Sequence, residues 1–239
     1  MSYITFNGKS SKDFNLRLEN DLEFSSPDRD VSFEKVDGVD GELAVGDGCL
    51  KNVQISYPFY AEVPKGKTIE NIASEVSNWL KADSFWHDLY FDGDPQYVYR
   101  AIFVDQYNVN RIISSFGKCV LPFRIKPYKF LKSGLSERQL GTTITNPETR
   151  NARPKIIIKG TGIVQLKIGS ETFSAKSVDG GLIIDSLSNT VTDLTGKRTQ
   201  WEKVTSYPLP MIKPGKQNIT KSETITDVKI IPRWEAIVG

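Results

Sequence analysis

Histidine is almost missing from this 239-residue chain, which has only His87. Cysteine is nearly as scarce: Cys49 and Cys119 stand seventy positions apart. A His-rich metal site, an H-E-x-x-H zincin and a CxxC redox pair are therefore excluded. Any histidine-based nucleophile triad would have to use His87. No run approaches 18 apolar residues, so no membrane-spanning helix is expected. The opening Met1–Gly8 lacks a basic segment followed by an apolar one, so no signal peptide is expected. An excess of one charge is also missing, with 31 Lys plus Arg against 29 Asp plus Glu and a net charge of +2. That balance argues against nucleic-acid binding through bulk charge. Two isolated cysteines suit a chain that folds in a reducing compartment, with both thiols free.

What is present points to a β-rich protein. Hydrophobic residues at 38% and charged residues at 25% suffice for a packed core. Val53–Tyr57 alternates apolar and polar side chains, as a half-buried strand does. Residues 97–104 are largely β-branched or aromatic and follow a Gly93-Asp94-Pro95 turn. Further strands are expected at 119–125, 155–159, 164–168, 181–184 and 228–231. Gly160-Thr161-Gly162 reads as a hairpin turn between two of them. Asn218-Ile219-Thr220 matches a glycosylation sequon and, without secretion, reads as strand or turn.

One helix is expected over 68–81. Ile69, Ile72, Ala73, Val76, Trp79 and Leu80 trace a single stripe at a 3.6-residue period. Thr68 suits the N-cap, and Glu70 sits near the positive end of the helix dipole. A boundary is expected near residue 133, where an aromatic-rich stretch gives way to a polar one. Residues 1–132 hold 16 basic and 19 acidic groups, a net −3, whereas residues 133–239 hold 15 and 10, a net +5. Two domains follow: an α+β unit over 1–132, β-rich with one helix, and an all-β unit over 133–239.

Few side chains suggest chemistry. His87 has only Asp88 beside it in sequence, which is no catalytic constellation. The carboxylate- and glycine-rich segment 37–48 lacks the D-x-[DN]-x-[DN]-G alternation of a calcium loop. It reads instead as a flexible loop or an arm gripping a neighbouring chain, with Gly38, Val39, Asp40, Gly41, Glu42, Leu43 and Asp47 as candidate interface residues. Trp201, Tyr207 and Trp234 are of the type that stacks on sugars, although core packing is the commoner role. No catalytic, cofactor-binding or metal-ligating set is assigned.

The order of these features resembles the distal tail (Dit) proteins of long, non-contractile-tailed bacteriophages. The first part matches in Ile4-Thr5-Phe6-Asn7-Gly8, the segment Gly38–Gly48 leading into Val53–Tyr57, and the helix ending in Trp79-Leu80. It continues through Leu89–Pro95, Tyr97–Ala101, Cys119–Phe123 and Pro127-Tyr128. The second part matches in Asn146-Pro147, Ala152–Gly162, Leu182–Asp185, Pro208-Leu209-Pro210, Ile212–Gly215 and Val228–Trp234.

The resemblance implies a structural role without catalysis. In such a hub, six copies form a ring through their N-terminal domains at the distal end of the tail. That homo-hexamer joins the tail-tube protein to the tail-tip protein. The C-terminal domains are galectin-like β-sandwiches directed outward, where receptor-binding or baseplate proteins attach. The protein would belong to the virion, assembled in the host cytoplasm, with no cofactor, no membrane and no nucleic-acid partner. Galectin sugar sites use a histidine in an H-x-N-x-R strand, and residues 133–239 have no histidine. Two rival readings stand beside this one: a glycan- or cell-surface-binding adhesin using Trp201, Tyr207 or Trp234, and a hydrolase using Asp88, Asp92 or Asp94.

Overall fold

The computed structural model describes residues 2–19, 22–113 and 115–239, and divides the chain into two compact units. The first is Met1–Lys129 together with Ile237–Gly239; the second is Phe130–Ala236.

The first unit is built on strong β alternation. Val53, Ile55, Tyr57, Phe59 and Ala61 are buried along the strand Val53–Glu62, with more exposed residues between them. That strand pairs antiparallel with the long strand Phe116–Leu131, placing Phe59 opposite Cys119, Tyr57 opposite Leu121 and Ile55 opposite Phe123. Pairing buried residues across the ladder puts all of them on one face of the sheet. The sheet runs in the order Lys9–Ser10, Ile4–Phe6, His87–Phe91, Tyr97–Ile102, Phe116–Leu131, Val53–Glu62, Leu16–Leu18. Val109–Ile113 and Glu235–Ile237 also pair with the long strand.

The helix spans Ile69–Leu80, one residue inside the expected 68–81 at each end. Thr68 caps it: its hydroxyl accepts from the Asn71 amide, and the Asn71 side-chain oxygen accepts from the Thr68 amide. This reciprocal pair satisfies two amides that the first turn leaves orphaned. The stripe Ile69, Ile72, Val76, Trp79, Leu80 is buried in the same core as Phe6, Leu16, Phe59 and Phe123. Trp79 stacks on Phe14 at 4.7 Å between centroids, and its indole N–H donates to the Phe6 carbonyl at 2.9 Å.

The second unit is a β-sandwich. One sheet has the order Arg138–Gln139, Ile225–Ile231, Lys155–Gly160, Gly181–Asp185, Thr190–Thr192. The other has Thr143–Asn146, Gly215–Lys221, Gly162–Ile168, Glu171–Val178. Ile156, Ile158, Ile184 and Ile230 from the first and Val164, Leu166, Ile168 and Phe173 from the second share one core. Gly160-Thr161-Gly162 is not the hairpin turn expected, because its two flanking strands lie in different sheets. It is a corner between the layers. A Cβ on Gly160 would stand 2.4 Å from the Thr224 carbonyl oxygen, and Gly162 has φ +91°, so both positions favour glycine.

Two ion pairs tie the end of this unit to its strands. Glu235, 1% exposed, accepts from Arg153 Nε at 2.9 Å and Nη2 at 2.8 Å. Arg233 donates to Asp185 through both terminal nitrogens, at 2.6 and 2.9 Å. Between them Trp234 is buried, and a Cβ on Gly134 would meet its ring at 2.7 Å.

Candidate assembly surface

The segment expected as a loop or arm is a two-stranded ribbon. Arg29–Lys35 pairs antiparallel with Glu42–Leu50, with Lys35 opposite Glu42, Glu34 opposite Leu43, Phe33 opposite Ala44 and Ser32 opposite Val45. The flexible-loop alternative is thereby corrected. Gly38, Val39, Asp40 and Gly41 form the connecting turn, closed by the Val39 amide donating to Val36. Gly38 and Gly41 have φ of +80° and +90°, a region that costs other residues energy. Glu42, Leu43 and Asp47 stand on the returning strand.

At the far end the ladder shifts register between Arg29 and Val31. Gly46 sits opposite, where a Cβ would lie 2.6 Å from the Asp30 carbonyl oxygen. Lys51 pairs with Asp30 at 3.3 Å. The Asp47 carboxylate accepts the Cys49 amide at 2.8 Å, which holds its pKa below the usual carboxylate value. The same carboxylate pushes the exposed Cys49 thiol upward, away from a reactive thiolate.

The ribbon buries almost nothing of itself. Every strand residue is exposed except Val31 and Leu50, which are half-buried. Phe33 is 65% exposed, Val39 61% and Leu43 56%. An isolated two-stranded ribbon is marginal in water, and its exposed apolar residues make it the candidate assembly surface. The Asp37-Gly38 turn between the alternating run Val31-Ser32-Phe33-Glu34 and the short apolar run Leu43-Ala44-Val45 is the signal that would have revealed a hairpin.

The other candidates find structural partners. His87 Nε2 lies 2.7 Å from Asp83 rather than bonding Asp88, and its ring meets Phe6 edge-on at 5.6 Å. That hydrogen bond, with another from the Phe85 amide, depresses the Asp83 pKa. Asp88 pairs with Arg100 at 3.1 Å. Asp92 accepts the Tyr3 amide. Asp94 accepts Tyr99 at 2.6 Å and Lys129 at 2.7 Å. Burial, reinforced by Asp94, raises the Tyr99 pKa. Of the three aromatic candidates, Trp234 is sealed in the core, Trp201 is half-buried and only Tyr207, 74% exposed, faces solvent. Cys119 is buried, and desolvation pushes its pKa up to about 12.

No protein-family profile matches the chain, and no curated protein does. Solved structures do. The crystal structure of SPP1 Dit, described as a paradigm of hub adsorption apparatus in Gram-positive infecting phages, superposes with a TM-score of 0.73. The match covers 96% of this chain and 97% of that one at 13% identity. The fold is Dit-like. A chain of the phage P2 baseplate in its activated conformation matches over the same 96% and 97%, with a TM-score of 0.50 and 10% identity. At such identities the Dit likeness resides in architecture, carried by the order of strands, helix and sandwich.

Proposed function

We propose that this protein is the hub at the distal end of a long phage tail, acting as a closed ring of six copies. The observation that carries this reading is the whole-chain likeness to a phage hub protein, in which both units match in order. Residues 1–132 form the ring, between a tail-tube protein on one side and a tail-tip protein on the other. Residues 133–239 form the outward sandwich, on which a receptor-binding protein docks. The protein resides in the virion after assembly in the host cytoplasm, and it is not an enzyme.

A ring of identical copies requires one face to complement a different face of the next copy, and the rotation must close. The ribbon supplies one such face. Gly38, Val39, Asp40, Gly41, Glu42, Leu43 and Asp47 lie along its tip and return strand, with Leu43 the apolar anchor on that strand and Phe33 exposed on the opposite face of the ribbon. Its apolar area becomes stabilising only when a neighbour covers it, at roughly 25 cal/mol per Å² removed from water. The acids that a hydrolase would need are instead engaged with Arg100, the Tyr3 amide, Tyr99 and Lys129.

Negative-stain electron microscopy of the purified protein tests this reading. Six-fold rings with a central opening are expected. Fields of single copies or two-fold dimers would refute it.

A further inference from the structure

The four-stranded sheet of the second unit has an outer face of unusual chemistry. Residues alternate inward and outward along the strands, apart from a bulge just past Lys176, and the register identifies the outward set. Lys167 lies opposite Thr172 on one neighbouring strand and Thr220 on the other. Gln165 lies opposite Ser174. Four residues along from those partners stand Lys176 and Lys216, also exposed. At about 3.3 Å per residue each lies roughly 13 Å along the sheet from Lys167. The strands are antiparallel, so the two displacements run in opposite senses. Three ammonium groups therefore follow a diagonal of roughly 26 Å.

Lys167, Lys176 and Lys216, and Lys221 at a strand end, form no ion pair among the described residues, whereas Arg153, Lys213, Lys229 and Arg233 of the same unit all do. The outward register carries no carboxylate. Glu171 lies outside it and is held by Lys213 at 3.1 Å, and Glu223 follows the end of its strand. Gln165, Lys167, Thr172, Thr220, Lys221 and Ser222 line a groove of about 360 Å³ midway along the diagonal.

We propose that this face binds a linear polyanion of the polyol phosphate class, with the lysines on its phosphates and the Thr, Ser and Gln side chains on its hydroxyls. The spacing of the charges calls for an extended chain rather than a single phosphate. The outward register holds no aromatic side chain, whereas single-stranded nucleic acid is gripped by aromatic stacking. Protein interfaces have an apolar, aromatic-rich centre, and here the sole apolar outward residue is Ile163 at one end. The site lies within one unit, so it stands whether or not copies assemble into rings.

The test is calorimetric titration of the full-length protein with a synthetic poly(glycerol phosphate) oligomer. A neutral dextran and a single-stranded oligonucleotide of equal charge are titrated alongside. Binding to the polyol phosphate is expected to weaken roughly 20-fold between about 50 and 200 mM salt, as three phosphate contacts predict on the single-strand slope. The double variant Lys167→Gln/Lys216→Gln should lose at least about tenfold in affinity while melting with the wild type, since exposed substitutions shift stability little. Absence of binding at low salt, affinity unchanged in the double variant, or equal binding of the dextran would overturn the proposal. Equal binding of the oligonucleotide would overturn it in favour of a nucleic-acid surface.

Discussion

Two side chains show how individual residues carry the fold. Trp79 joins the helix to the sheet through stacking on Phe14, edge contact with Phe6 and an indole hydrogen bond to the Phe6 carbonyl. Trp79→Ala leaves a cavity and removes the indole hydrogen bond, a loss of roughly 3–5 kcal/mol. A thermal melt within a degree of wild type would contradict that placement. Asp185 is opposed by partial burial, but the Arg233 guanidinium and the Ser188 and Leu187 amides prevail and lower its pKa. A depressed carboxylate pKa stabilises the fold above the unfolded value near 3.9, and that contribution is lost as pH falls through the folded value. Asp185→Asn should therefore cost about 1–3 kcal/mol at neutral pH, with the gap to wild type closing below about pH 4. Urea titrations from pH 7 down to pH 3 measure this; a gap independent of pH would argue against it.

At the scale of elements, the ribbon Arg29–Leu50 is where sequence and structure diverge most usefully. Its glycines and carboxylates suggest a loop, but the ladder from Lys35–Glu42 to Arg29–Leu50 is continuous apart from one bulge. Sequence patterns register burial, and a strand that buries nothing within its own chain leaves only a faint alternation. The helix was legible for the opposite reason: its apolar stripe faces a core and its cap is local, so periodicity and Thr68 suffice. The Gly160–Gly162 corner reads in sequence as a hairpin turn because a glycine pair reports backbone freedom but not which sheet the next strand joins. The ion pairs Arg153–Glu235 and Arg233–Asp185 link residues 82 and 48 positions apart and left no local trace. Deleting residues 39–47 removes most of the turn and return strand of the ribbon without touching the core. Assembly should fail while the melting temperature of the single copy stays within a few degrees; intact rings in light scattering would exclude the ribbon from the interface.

For the molecule as a whole, the scarcity of reactive side chains and the exposed ribbon bear on the same question. His87 is hydrogen-bonded to Asp83, the neighbouring acids are held by Arg100, Lys129 and the Tyr3 amide, and the Cys119 thiol is buried. The ribbon leaves Phe33 and Leu43 in solvent. The proposed hub role gives both features a use, and the Dit-like architecture spans the chain nearly end to end. The central claim is closed assembly, and the mass in solution addresses it most directly. Multi-angle light scattering on the purified protein should give about 161 kDa, six times the 26.8 kDa chain. A mass of 26.8 kDa at every concentration would contradict the account.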